Sequence, residues 1–222
     1  MSDFPFAAVG FDLDGTLLET HRDLGAAVNH ALTLGGFDPV PVDHASDLIG
    51  GGAKIMLARA VDQQGGLPDE QFRRLYKEML AYYAENNAVH SRPYPHAVQA
   101  LDMLAERGVK MAVVTNKFES FARQILTTLD LADRFETIIG GDTMGKGRAK
   151  PAPDSVIEAR ARCGGGRLVF VGDSSYDVRA ARAAQVPVVA AAYGYCDMPP
   201  ADLGADAVIE SLAGLIPALE AL

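Results

Sequence analysis

The chain is short of cysteine, of long apolar runs and of basic charge, and each shortage excludes a class of function. Only Cys163 and Cys196 occur among 222 residues, and neither stands in a spacing that holds zinc or runs dithiol chemistry. Such thiol usage fits a reducing cytoplasm, where the protein is expected to work. No stretch approaches the roughly 18 apolar residues of a membrane-spanning helix. Met1-Ser2-Asp3-Phe4 lacks the basic start and apolar core of a secretory leader, so no membrane role is expected. Lys and Arg number 20 against 29 Asp and Glu, a net charge of -9. A nucleic-acid partner is therefore not expected, because phosphate backbones are held by clustered cations. A small anionic substrate needs a local basic site instead.

Hydrophobic residues make up 49% of the chain, enough for a proper core in one large or two modest domains. The stretch Val9-Gly10-Phe11-Asp12-Leu13-Asp14-Gly15-Thr16 reads as a buried strand opening into a reactive loop. Side chains two apart leave an extended backbone on the same side, so Asp12 and Asp14 can face one point beyond the strand end. Two carboxylates there can hold a cation, or one can attack a phosphate while the other handles a proton. A capped turn before a helix explains the same four letters, and the stretch alone does not choose.

From 18 to 90 the apolar residues follow helical spacing. Leu24, Ala27, Val28, Ala31 and Leu32 mark one face; Phe72, Leu75, Tyr76, Met79, Leu80 and Tyr83 mark another. The span is too long for a loop and large enough for a small domain, which predicts an inserted helical domain over 18–90. From 91 onward, helix and strand alternate, with strands expected at 109–115, 137–140, 167–172, 186–191 and 207–209. Together with 1–17 they predict an α/β core, Rossmann-like, with a mostly parallel sheet. Ligands of such sheets collect outside the carboxyl ends of the strands.

Every polar cluster of interest falls at one of those ends. Thr115 and Asn116 offer a hydroxyl and an amide to a phosphoryl oxygen, or cap the following helix. Lys150, stiffened by Pro151 and Pro153, can stand as a point charge toward phosphate, while Lys146 and Arg148 read as solvated. Asp173 and Asp177, one helical turn apart, add acids for a hard cation or charge the start of a helix. Mg²⁺ prefers oxygen ligands and keeps several waters, so a few carboxylates suffice. Within the insertion, Ile49-Gly50-Gly51-Gly52-Ala53-Lys54 reads either as an anion-binding helix start or as a turn needing positive φ.

Taken together, Asp12-Leu13-Asp14-Gly15-Thr16, Thr115-Asn116, Lys150-Pro151 and Gly172-Asp173-Ser174-Ser175-Tyr176-Asp177 resemble, in order, the four motifs of the haloacid dehalogenase superfamily. The resemblance implies a Mg²⁺-dependent phosphatase with Asp12 as nucleophile and Asp14 as acid and base. It further implies Thr115, Asn116 and Lys150 on the phosphoryl group, with Asp12, Asp173 and the Asp14 carbonyl on the metal and Asp177 in support.

The phrasing of the Gly50 cluster, Tyr94-Pro95 and Ile139-Gly140-Gly141-Asp142 is closest to bacterial phosphoglycolate phosphatases, which implies 2-phosphoglycolate as substrate. Many of these carry an arginine before the glycine cluster, where this chain has Ala45-Ser46-Asp47. Lys54 or Arg59 is then expected to meet the substrate carboxylate. Another small phosphorylated metabolite, pyrophosphate, or a sugar phosphomutase reaction keeps the same motifs. A dehalogenase needs neither Asp14 nor a metal, and a non-catalytic phosphate-binding module has no use for the full set. Monomer and homodimer are both compatible with the sequence.

Overall fold

The structure is a computed structural model that describes residues 4–41, 45, 48–49 and 51–222. Gly50, Ser46 and Asp47, part of the glycine cluster and of the expected arginine position, lie outside the described residues. The chain divides into two compact units, Met1–Glu19 with Pro93–Leu222, and Thr20–Arg92. Each boundary falls two residues after the one expected from the sequence.

The first unit is built on a six-stranded sheet in the order β5-β4-β1-β6-β7-β8. Its strands are β1 (Ala8–Phe11), β4 (Lys110–Val114), β5 (Thr137–Ile139), β6 (Leu168–Gly172), β7 (Val188–Ala191) and β8 (Ala207–Ile209). Every pairing between them is parallel. The two-residue strands β2 (Leu18–Glu19) and β3 (Arg92–Pro93) mark where the chain passes between the units. Helices α4 (Ala97–Glu106), α5 (Glu119–Thr128), α6 (Asp154–Arg162), α7 (Ser175–Ala183) and α8 (Leu215–Glu220) alternate with the strands. This is the expected α/β architecture, and its inner strands β1 and β6 are buried throughout, as helices on both faces require. Strands β4 to β7 are one or two residues shorter than the apolar runs that predicted them, β6 and β7 at their starts, while β8 has the expected bounds.

Central β1 lies between β4 and β6. The chain goes from β1 outward through β4 to β5, then returns to the other side for β6, β7 and β8. Such a reversal leaves a crevice at the carboxyl ends of the central strands, where no crossover covers the sheet.

The second unit is helical: α1 (His21–Leu34), α2 (Ala53–Asp62) and α3 (Asp69–Asn86). Leu24, Ala27, Val28, Ala31 and Leu32 of α1 are buried, as are Leu75, Met79 and Tyr83 of α3, so the apolar stripes read from spacing are the packed faces. The two helices pack mainly on each other, and His30 stacks on Tyr82 at 4.5 Å. Gly51 and Gly52 have φ of 75° and 98°, and α2 starts directly after them; the turn reading of the glycine cluster holds at these two positions.

Inside this unit Asp23 is 2% exposed and accepts from the backbone N–H groups of His90 and Ser91 and from the Ser91 hydroxyl, at 2.8–3.0 Å. One carboxylate thus ties the start of α1 to the end of the helical segment. Asp23→Ala strands these donors, each costing about 1–3 kcal/mol. Urea denaturation is expected to show a loss of at least about 2 kcal/mol; a loss below about 0.5 kcal/mol would mean that water replaces the carboxylate freely.

Candidate active site

Sheet register brings the site together. Phe11 of β1 pairs with Val113 of β4 and Val171 of β6. Asp12 follows Phe11 directly, and Thr115 and Asp173 stand two residues beyond their paired positions, so three distant parts of the sequence reach one level at the sheet's carboxyl edge. Asp12 N donates to Val171 O at 2.8 Å and Thr115 N to Ile139 O at 3.0 Å, which extends the ladder to these residues.

Asp12 is 9%, Asp173 2% and Asp177 0% exposed, and their carboxylates offer oxygens within 4.8 Å of one another. Lys150, 5% exposed, places its Nζ 2.8 Å from Asp12 Oδ1 and 2.6 Å from Asp177 Oδ1. One ammonium thus bridges two of the three clustered carboxylates, and Asp173 lies beside that pair without a lysine of its own among the described residues. Burial, followed by the charges of Asp177 and Asp14, pushes the Asp12 carboxyl up to about 7 against the pull of Lys150. Asp173 is likewise held well above the usual carboxylate range, by burial first and then by Asp12 and Asp177. Burial works against the Lys150 ammonium, but Asp12 and Asp177 outweigh it and keep its proton on.

Asp177 stands at a helix start and in the acid cluster at once. Its Oδ2 accepts from Ser174 N, Ser174 Oγ and Asp173 N at 3.0, 2.6 and 3.3 Å, closing a capping box at the start of α7. Its Oδ1 holds Lys150. Helix start and site are therefore tied by the same side chain.

Thr115 and Asn116 do not cap α5. Its N-cap is Phe118, and its first amide, Glu119 N, donates to Asp142 Oδ1 at 2.8 Å. Thr115 Oγ1 accepts from Lys117 N at 3.2 Å, which leaves the hydroxyl proton for an incoming oxygen. Asn116 Nδ2 donates to the Lys150 carbonyl at 3.0 Å, so this amide ties the loop of Lys150 to the end of β4. Its Oδ1 is buried and, among the described residues, accepts nothing.

Several side chains at the site carry no signal in any one motif. Lys117, 8% exposed, donates from Nζ to Asp14 Oδ1 at 2.7 Å. Asp12 and Asp14, two residues apart, thus face different lysines. Lys117 closes the Thr-Asn-Lys run, and a lysine directly after a buried strand was the available hint. Thr16 Oγ1 donates to Asp173 Oδ1 at 2.9 Å, and Tyr195 N to Asp173 Oδ2 at 2.7 Å. A Cβ at Gly15, whose φ is +88°, would meet Asp173 Oδ2 at 2.3 Å, so only glycine admits that carboxylate. Lys54 is exposed at the start of α2. Arg59 Nη1 donates to the carbonyls of Leu48 and Ile49 at 3.1 and 3.3 Å, which braces the segment ahead of that helix.

The acid cluster fits a hard divalent cation. Three buried carboxylates against one lysine leave negative charge that burial makes costly. Asp12 Oδ1 lies beside Lys150 yet accepts no well-aligned hydrogen bond, and all the donors are oxygens, the set that Mg²⁺ selects. Because Asp177 carries three donors on one oxygen and Lys150 on the other, whereas each Asp173 oxygen accepts one bond, Asp12 and Asp173 are the better-placed ligands. A cleft of about 800 Å³ at the β5 edge contains Arg123 and Arg162, but Glu119 and Glu158 pair with them at 2.7 and 2.8 Å. It offers an anion far less than Lys150 does.

An open parallel α/β sheet with paired acids after its first strand, a hydroxyl after its second and a buried lysine between acids defines a class of phosphoryl-transfer hydrolase. The chain belongs to the haloacid dehalogenase-like hydrolase family, which matches residues 9–191. A phosphoglycolate phosphatase of Agrobacterium fabrum is 38% identical over 94% of this chain and 90% of its own length. The phosphoglycolate phosphatase of Rhodospirillum rubrum is 38% identical over 94% and 88%. Among solved structures, a predicted phosphoglycolate phosphatase from Haemophilus somnus superposes with a TM-score of 0.88 at 31% identity, covering 96% of this chain and 97% of that one. No helix among the described residues is long and apolar enough to cross a membrane.

The raised Asp12 carboxyl has a consequence for the metal-free protein. Its value moves from 3.8 to about 7 on folding, so between those limits the native state holds more protons than the unfolded chain, and stability falls as pH rises through the window. Asp12→Asn removes this charge. In EDTA, the wild type is expected to lose up to about 4 kcal/mol relative to Asp12→Asn between pH 4 and 7.5. Urea denaturation across that range measures the difference, and a flat difference would show that burial does not penalise the Asp12 charge.

Proposed function

We propose that the protein is a Mg²⁺-dependent phosphatase that hydrolyses a small phosphomonoester through an aspartyl-phosphate on Asp12, with 2-phosphoglycolate as the substrate. One observation carries the mechanism: Asp12 and Asp14 leave the same strand end but are held by different lysines, Lys150 and Lys117, which suits two carboxylates with different tasks. The substrate reading is supported by the relatives named phosphoglycolate phosphatases at 34–38% identity.

In this reading, Lys150, the Thr115 hydroxyl and exposed backbone amides hold the phosphoryl oxygens. A bound Mg²⁺, held by Asp12, Asp173 and the Asp14 carbonyl, neutralises charge on the phosphoryl group and on Asp12. The other Asp12 oxygen attacks phosphorus, the bond to the leaving oxygen breaks, and protonated Asp14 gives that oxygen its proton. A water then attacks the phosphorus of the aspartyl-phosphate, Asp14 takes its proton, and phosphate leaves as the Asp12 carboxylate is restored. Asn116 and Asp177 hold Lys150 in place. The helical unit 20–92 acts as the cap that selects substrate and excludes water, with Lys54 as its contact for the glycolate carboxylate. Arg59 stands behind it, bracing the segment ahead of α2.

The test is a phosphate-release panel over 2-phosphoglycolate, sugar phosphates and pyrophosphate, with Mg²⁺ and with EDTA. Mg²⁺-dependent turnover is expected to be fastest on 2-phosphoglycolate and to drop by several orders of magnitude in Asp12→Asn. Full activity of that variant would sink the nucleophile, and a better sugar phosphate or pyrophosphate would replace the substrate. Lys54→Ala is expected to raise KM about tenfold for 2-phosphoglycolate with little change for a phosphomonoester lacking a carboxylate. Equal effects on the two would remove Lys54 from the carboxylate.

A further inference from the structure

Tyr193 sits at the acid cluster and has no task in the reaction just described. We infer that its phenol is a positioning residue for the divalent-cation site, acting through Thr16 on Asp173 and on the turn that carries the Asp14 carbonyl. This rests on the reading that Asp12, Asp173 and that carbonyl hold the cation.

The turn after β7 meets Asp173 by two routes. Directly, Tyr195 N donates to Asp173 Oδ2 at 2.7 Å. Indirectly, the Tyr193 hydroxyl donates to the Thr16 carbonyl at 2.8 Å, and the Thr16 hydroxyl donates to Asp173 Oδ1 at 2.9 Å. Both oxygens of Asp173 are therefore held, one by each route, and a carboxylate oxygen with one hydrogen bond keeps a lone pair for a cation. Neither oxygen can swing without breaking a hydrogen bond.

The phenol is rigidly placed. Its ring stands edge-on to Tyr94 with centroids 4.9 Å apart, and Tyr94 N donates to the Leu17 carbonyl at 3.0 Å, one residue past Thr16. The Asp14-Gly15-Thr16-Leu17 turn is thus clasped at successive carbonyls from two tyrosine residues. Packing is too close for any slack: a Cβ on Gly194 would fall 2.4 Å from both Asp173 Cβ and the Gly15 carbonyl. Burial, and then the charge of Asp173, push the Tyr193 phenol well above its ordinary range, so it remains a donor at any working pH.

Phenylalanine fills the same space and keeps the contact with Tyr94. The hydroxyl adds only the bond to Thr16, which reaches the cluster through Asp173 and the Asp14-Gly15 turn. Groups that orient a metal ligand from behind are worth about 10–100-fold in metal affinity. Packing alone predicts no such dependence.

Isothermal titration of the metal-free protein with Mg²⁺ tests the role without any turnover. Tyr193→Phe is expected to bind Mg²⁺ about tenfold more weakly than wild type, Thr16→Val to lose at least as much, and Thr16→Ser to stay within about threefold. Because Thr16→Val removes the step to Asp173 but keeps the carbonyl that Tyr193 holds, Tyr193→Phe with Thr16→Val is expected to lose clearly less than the product of the two single losses. Wild-type affinity in Tyr193→Phe overturns the role, whatever happens to its metal-free melting temperature. Losses that multiply in the double variant also overturn it, since Tyr193 would then act by another path. If the wild type takes up no Mg²⁺, the cation site itself fails and the relay with it; binding by the wild type separates the two cases.

Discussion

Three carboxylates crowd together at the carboxyl edge of the sheet with one ammonium bridging two of them, and the rest of the site depends on that imbalance. Asp12, Asp173 and Asp177 are buried within reach of one another, and Lys150 meets Asp12 and Asp177, in a setting where charge is costly and hydrogen bonds are strong. The lysine makes the cluster tolerable without neutralising it. The remainder appears as carboxyl groups held above their ordinary range, a condition that a divalent cation relieves. A site poised in this way is suited to a substrate that brings more negative charge, provided that the cation arrives with it.

Around that core, hydrogen bonds divide the labour. Asp177 is saturated by Lys150, Ser174 and its own helix start, which makes it a fixed post. Asp173 is held on each oxygen by one donor, firm but still able to ligate. Asp12 is the least committed of the three, and Asp14 is drawn aside by Lys117. The order from saturated to uncommitted follows the order of the tasks proposed for them, from support, through ligand, to reacting group.

Much of this was legible in the sequence. Alternation of buried strands with amphipathic helices predicted the parallel sheet, and the apolar stripes of α1 and α3 are the faces that pack. Polar residues after each apolar run pointed to the strand ends, because a carboxylate or lysine there has few structural uses. The partners that hold those groups were not legible. Lys117 reads as an ordinary surface cation until β4 is set beside β1, and Tyr195 contributes a backbone N–H that no residue type reveals. Thr115 and Asn116 have the composition of helix caps, yet Asp142, from a loop after β5, takes the cap of α5. Such pairings join residues 22 to 103 positions apart, where local pattern carries no information.

The sequence by itself determined the two-residue spacing of Asp12 and Asp14, the strand-end placement of Thr115, Lys150 and Asp173, and the helical character of the insertion read as 18–90, because each follows from backbone period and local preference. Tertiary structure decided which charge meets which. Register places Phe11 between Val113 and Val171, and only then do Lys150 and Lys117 select different members of the opening pair. Asp12 and Asp14 are chemically identical side chains on one short stretch. Their environments, assembled from loops after different strands, make them unequal, since electrostatic energies at this range depend on separations of a few ångströms and on burial.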